Sequence, residues 1–380
     1  MILRLRSLPR IAMAAIISGA AAVFVIVGAL LTTNHLLPDN GRSQLALVST
    51  RSGQAELYLL DINHAVQRQL TSSIGYVRQP AWSPDGTRIA FVAGYDRSDI
   101  FVMNADGTGL SNLTASTPDF VADNPAWSPD GTRLAFTLMS VTGGAANIYV
   151  MDVLTAPDRA WVGSGIRQMT HTPEWKAQPV WSPDGRYIAY GVSTSNWDIW
   201  LLDAASGQTW PLADSPFDDQ SPAWSPDSRL AYVSWVDSAL SAEIFVMDIA
   251  AGADGQVRGW NQRRLTDNTA MDSQPSWSPD GSQIAFVSNR DNGYFDVYTM
   301  SANGDAGSVR RLTYSDGPET SPQWSPDGSH LVFTLDRRYT GRFVATGSCG
   351  VFAADVRRGL IRELTGSLDG ICDTFPIWRP

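Results

Sequence analysis

The sequence predicts an all-β fold: a seven-bladed β-propeller closed by its own C-terminal strand, with one transmembrane helix before it. Three observations carry this. Trp-Ser-Pro-Asp occurs at Trp82, Trp127, Trp181, Trp224, Trp277 and Trp324, and a clipped copy, Trp378-Arg379-Pro380, ends the chain. A Leu-Thr signature or a close variant recurs at Leu70, Leu113, Met169, Leu212, Leu265, Leu312 and Leu364. A β-rich run recurs at Leu57, Ile100, Ile148, Ile199, Ile244, Val297 and Val351. Self-similarity at this period is the mark of a radial repeat, each unit four short strands separated by turn chemistry. Each landmark occurs seven times. A six-bladed ring is the alternative, and it would leave one landmark of each kind unplaced.

The N-terminal elements come first. Arg4, Arg6 and Arg10 precede Ile11–Thr32, a run without a charge and rich in Ala, Val, Ile and Leu. As a helix, a run of this length spans ~33 Å, enough for a bilayer core of ~30 Å. The arginines before it put residues 1–10 in the cytoplasm and the rest outside. A cleaved signal peptide is the rival, but its small-residue site, Ala20-Ala21-Ala22, lies mid-run with Val23–Val27 still to come. Residues 11–32 are thus expected to be a signal anchor, single-pass in the cytoplasmic (plasma) membrane of a bacterium. Residues 33–44 read as a linker and residues 45–380 as the propeller.

Within each blade, Ser-Pro-Asp-Gly reads as a tight turn joining the first strand to the second. Pro sets φ, Ser and Asp bond back to the backbone, and Gly accepts positive φ. Asp227-Ser228 lacks the glycine, so that turn is expected to be distorted. Each tryptophan, one residue after an X-Pro-x step, is expected to pack between adjacent blades as core. The first blade begins at its second strand, Leu45–Ser49, with no tryptophan before it, so Pro376-Ile377-Trp378 is expected to supply the missing strand. Closure removes a seam of unpaired edges. Cys349 and Cys372, 23 residues apart in the last blade, suit a disulfide outside the cytoplasm, contributing ~3 kcal/mol for such a loop. Two unpaired thiols are the alternative.

Charge excludes one class of partner. A net charge of −10 argues against nucleic acid, because phosphate binding needs clustered cations. Lys176 is the only lysine, a bias that carries no mechanism by itself.

The Ser-Pro-Asp-Gly turns share one face, so the longer and more varied loops lie on the other, upper face. Gln79, Asn124, Gln178, Ser221, Gln274 and Ser321 begin the inner strands there and should ring the channel mouth. Two residues earlier an acid recurs at Asp219, Asp272, Glu319 and Asp373. A second polar series precedes the third strands: Glu56, Asp99, Asn147, Asp198, Glu243 and Asp296. Converging carboxylates could hold a cation such as calcium or recognise a cationic or sugar ligand. Repeated polar positions equally suit the capping of loops. Tyr76, Trp175, Trp197, Phe217, Trp235, Tyr294, Phe295 and Tyr339 are aromatic without counterparts in most blades, and suit a peptide or glycan surface or loop packing.

Signals of catalysis are poor. No Gly-x-Ser-x-Gly elbow and no Gly-rich phosphate loop occurs, and His35, His64, His171 and His330 lack metal-ligand spacing. His171 with Glu174 is one acid/base pairing on an upper loop. No cofactor is expected beyond a structural cation.

With the motifs in place, Gln274-Pro275-Ser276-Trp277-Ser278-Pro279-Asp280-Gly281 followed by Ile284-Ala285-Phe286-Val287 resembles the TolB-like, WD40-like branch of bacterial β-propellers. The resemblance covers nearly all of residues 45–380. It implies a periplasmic propeller that binds partner proteins at its channel. TolB itself carries an α/β domain and six blades, where this chain is expected to have an anchor and seven. Propellers of prolyl-oligopeptidase-type enzymes share the repeat, but no hydrolase domain is expected here. The expectation is a non-enzymatic scaffold binding an envelope protein, peptide or glycan. The alternative is a propeller-type lyase or glycosidase with channel-mouth carboxylates as acid and base.

Overall fold

A computed structural model describes residues 43–156, 160–213, 215–236, 241–291, 293–305, 307–315, 317–339, 347–366 and 370–380. The expected anchor, 11–32, lies outside the described residues, as does nearly all of the linker. Among the described residues no helix is long and apolar enough to cross a membrane.

Seven four-stranded antiparallel sheets follow one another around a ring. Blades 2 to 7 span residues 78–112, 120–168, 175–213, 219–264, 272–311 and 319–363, each running from inner to outer strand. Blade 1 takes its three outer strands from residues 44–69 and its inner strand, Asp373–Trp378, from the C-terminus. Leu45 pairs with Trp378 and Ser49 with Asp373, which closes the ring as the clipped motif predicts.

The second strands are buried along most of their length, and Arg88–Ala93 in blade 2 along all of it, because strands flank them and blades cover both faces. Their apolar runs are therefore continuous rather than alternating. Packing is between blades. Ala90, Val92, Ile100 and Val102 of blade 2 meet Trp127, Leu134, Phe136 and Leu138 of blade 3 in one core cluster.

The repeated tryptophan has a second role beyond filling space. In every blade its Nε1 donates to the carbonyl of the residue before the tryptophan of the preceding blade. Trp82 reaches Ile377, Trp127 reaches Ala81, and so round to Trp378, which reaches Gln323 at 3.2 Å. Beneath this ring, arginines stack on the indoles of the next blade: Arg88 on Trp127, Arg133 on Trp181, Arg229 on Trp277 and Arg379 on Trp82.

The Ser-Pro-Asp turn is held by its own side chains. Ser83 Oγ donates to Asp85 Oδ1 at 2.6 Å and accepts the backbone N–H of Arg88 at 3.0 Å. Blade 5, which lacks the glycine, keeps the turn in a form one residue shorter. Ser228 itself takes φ 69°, and Ser225 Oγ accepts from Arg229 instead of the fifth residue on.

Candidate functional site on the upper face

The residues expected at the channel mouth sit at a repeated backbone kink. Gln79, Asn124, Gln178, Ser221, Gln274 and Ser321 all have φ between 51° and 56°, and so does a seventh, Phe375. The ladder to the second strand shifts register across this point in each blade. A bulge of this kind re-aims a side chain out of the sheet. Left-handed backbone costs a non-glycine residue about 1 kcal/mol or more, and the following proline restricts it further. Part of the compensation is visible. Gln79 Oε1 accepts the N–H of Asn124 at 2.9 Å, and Gln274 Oε1 accepts that of Ser321 at 2.6 Å, each reaching the next blade's bulge. Gln178 and Gln274 are exposed, and Phe375 presents 45% of its surface where the other blades carry an amide or a hydroxyl. Sequence reading missed Phe375, although its place three residues before Trp378 is the signal.

The mouth acids point the other way. Asp219, Asp272, Glu319 and Asp373 are each at most 1% exposed, on the face of the strand turned into the blade. Arg51 Nη2 donates to both oxygens of Asp373, at 3.0 and 2.8 Å. Arg290 Nη2 donates to Asp272 Oδ2 at 2.7 Å, joined by Asn268 Nδ2 at the same distance. Asp219 Oδ2 accepts the N–H of Ser215 at 3.1 Å. Glu319 Oε2 accepts the N–H of Val297 at 2.9 Å and the hydroxyl of Thr313. Burial, with the Asp296 carboxylate nearby, pushes Glu319 up to about 7.

The second polar series explains the Leu-Thr signature. Thr114 Oγ1 donates to Asp99 Oδ1 and accepts the N–H of Ile100; Thr71 does the same between Glu56 and Leu57, and Thr170 between Asn147 and Ile148. The acids also cap the loop beyond, as when Glu56 accepts from Ser73 N and Glu243 from Asn268 N. Arg311 pairs with Asp296 at 2.6 Å and Arg264 with Glu243 at 3.0 Å.

The aromatics divide. Trp175 is 43% exposed and Tyr76 58%, the latter edge-on to Tyr95, itself 60% exposed and unnoticed in the sequence. Trp197, Phe217, Trp235, Tyr294 and Phe295 are half-buried, and Trp197 lies over Gly191. Tyr339 falls in a short 3-10 helix, Arg337–Tyr339. His171 and Glu174 line one crevice, and Glu174 faces Lys176 at 3.4 Å. Cys349 and Cys372 are bonded, joining the third strand of blade 7 to the loop before the closing strand of blade 1. Among the described residues no three His, Cys, Asp or Glu side chains gather as a metal set.

Geometry of this kind has known relatives. The family described as the TolB beta propeller domain matches residues 162–380, more than half of the chain. The chain belongs to the TolB β-propeller family. The dipeptidyl peptidase IV N-terminal region matches residues 43–143. A protein TolB homolog of Chlorobium chlorochromatii is 31% identical over 129 residues, which are 34% of this chain and 27% of that protein. An uncharacterized peptidase of Bacillus subtilis, YuxL, is 26% identical over 174 residues, 38% of this chain and 25% of the relative. The chain thus spans about a quarter of the length of each. An oligogalacturonate lyase solved with manganese is similar in fold, with a TM-score of 0.61 at 17% identity over 78% of this chain and 83% of that one.

Proposed function

We propose that this TolB-family propeller is held to the bacterial membrane by residues 11–32 and works outside the cytoplasm as a binding scaffold, without catalysis of its own. Its partner is an envelope protein, peptide or glycan taken by the upper face. One observation carries the reading: the inner-strand bulges and the segments leading into them offer exposed amides and aromatic rings, while the neighbouring carboxylates are turned inward. Gln178, Gln274, Trp175, Tyr76 and Phe375 face solvent, whereas Asp272 and Asp373 are spent on arginines inside their blades. Acid and base catalysis needs two carboxylates within reach of one substrate. Rigid rings beside hydrogen-bonding amides suit recognition instead. A lyase or glycosidase is the second reading, favoured by Glu319, whose carboxyl is held near 7 as a general acid would be.

The test uses the full chain in membranes. Crosslinked partners of the wild type are compared with those of a Tyr76→Ala, Trp175→Ala, Phe375→Ala variant. Loss of the partners with an unchanged melting temperature is expected; the same partners from both would overturn the scaffold reading. Removal of residues 11–32 is expected to move the protein from the membrane to the soluble fraction.

A further inference from the structure

Going round the ring, the position two residues before the bulge holds Asp373, Val77, Ala122, Lys176, Asp219, Asp272 and Glu319. All seven are buried. In blades 1 and 6 this position belongs to a repeated constellation. Asp373 faces Ser49 across the ladder, Arg51 Nε donates to Ser49 Oγ at 2.8 Å, and the Arg51 guanidinium pairs with Asp373 and lies 5.1 Å from the centre of the Tyr58 ring. Asp272 faces Ser288, Arg290 Nε donates to Ser288 Oγ at 2.9 Å, and Arg290 pairs with Asp272 and lies 4.9 Å from the Tyr298 ring. An arginine therefore fills the crevice between acid and aromatic ring.

Blade 4 reverses this chemistry. Lys176 stands for the acid and faces Val192 in place of the serine. Thr194 stands where the arginine would be, and Trp200 where the tyrosine would be. The short threonine leaves the crevice open as a cavity of about 340 Å³, whose walls include Met169, His171, Lys176, Tyr190, Thr194 and Trp200. That size is at the lower end of small-ligand pockets, which run from about 300 to 1,000 Å³.

Lys176 is 1% exposed. Its ammonium donates to the carbonyls of Thr172 and Glu174, and its ion-pair partner is the Glu174 carboxylate at 3.4 Å. That carboxylate belongs to a loop residue whose side chain is 34% exposed, and it approaches the ammonium beyond ideal hydrogen-bond distance. A buried cation paired at such range is poorly compensated, and a closer anion would stabilise it.

We propose that this crevice binds a carboxylate carried on a short apolar or aromatic body. The incoming carboxylate takes the place of Glu174 on Lys176, and the body lies against Trp200 and Met169. Two sources carry that chemistry, a free aromatic acid and the C-terminus of a peptide. The crevice is lined by residues between Met169 and Thr209, in blade 4 and the loop before it, and its binding stands independently of the scaffold reading.

The test is calorimetric titration of the full chain in detergent with phenylpropionate, with acetyl-Gly-Gly-Phe as the free acid, and with the same peptide as its amide. Saturable binding of phenylpropionate alone assigns the site to free acids. Binding of the peptide acid, at least tenfold tighter than the amide, assigns it to chain termini. Lys176→Met is expected to lose at least tenfold in affinity, and Val77 and Ala122 at the same position show that a blade accepts an apolar residue there. Glu174→Gln, which removes the internal competitor, is expected to bind several-fold tighter. The pair Lys176→Asp with Thr194→Arg restores the acid–arginine pair of blade 1 and fills the crevice, and is expected to abolish binding without lowering the melting temperature. Absence of saturable binding to either acid, or a Lys176→Met protein that binds as the wild type does, would overturn the proposal.

Discussion

Trp82 donates its indole N–H to the carbonyl of Ile377 at 3.2 Å, across 295 positions of sequence. This bond is one link in a ring of seven, and it lies where the chain's end joins its beginning. The closure is therefore not only a strand pairing. The same indole contact that joins every other pair of neighbouring blades also spans the seam, with Arg379 stacked on Trp82 beneath it.

The seam should be the weakest point to injure. Trp378→Ala removes the inner-strand indole of blade 1 and its bond to Gln323. Truncating a large buried aromatic costs about 3–5 kcal/mol. The variant should melt well below the wild type, and more so than Trp→Phe at the same site; a melting curve that does not move would refute the role assigned to the closing strand.

Cys349 and Cys372 pin that seam from the upper side. Chain-entropy reasoning for a loop of 23 residues gives about 3 kcal/mol. Cys349→Ser with Cys372→Ser, or addition of reductant, should lower the urea midpoint correspondingly. The double variant should become insensitive to reductant.

Glu319 sets a pH dependence. Its folded pKa, about 7, lies above the ordinary 4.5, so the folded state holds a proton that the unfolded chain releases. The contribution is complete below about 4.5 and is lost as pH rises through 7, by an amount on the order of a few kcal/mol. Stability measured from pH 5 to 8 should therefore carry a decline that Glu319→Gln removes, with the variant the more stable of the two at pH 8.

The turn carboxylates act in the opposite sense. Asp280, held down to about 2 chiefly by the Ser278 hydroxyl, contributes stability present above 3.8 and lost as pH falls through 2. Asp280→Ala should cost about 1 kcal/mol at neutral pH, the usual worth of a local side-chain cap. The loss should shrink toward zero in acid denaturation below pH 2.

At the bulge, Gln274→Ala takes the acceptor from the Ser321 N–H. Because that N–H is accessible to water, the expected cost is under about 1 kcal/mol. Gln274→Pro, by contrast, should unfold the blade, since proline cannot take the φ of 55° found there. Thermal melts of the two variants separate a backbone constraint from a lost bond.

Blade number, closure and the inner tryptophans were legible because they depend on local chemistry repeated at a fixed period. Trp-Ser-Pro-Asp encodes its own turn, and seven copies of each landmark leave one way to close a ring. The direction of a side chain at the upper face was not legible. Gln274 and Asp272 are two residues apart, so strand alternation alone would put them on one face, toward the channel. The left-handed bulge turns Gln274 to solvent while Asp272 stays inside against Arg290. The position of Lys176 in the column two residues before the bulge, where four of seven members are acids, follows from the repeat itself. That Lys176 is buried beside an open crevice does not, because the crevice depends on which side chains of strands distant in sequence fold over it. The sequence by itself determined the ring and its mortar. Which carboxylates are buried, which rings are exposed and which crevice is open were decided by packing between blades.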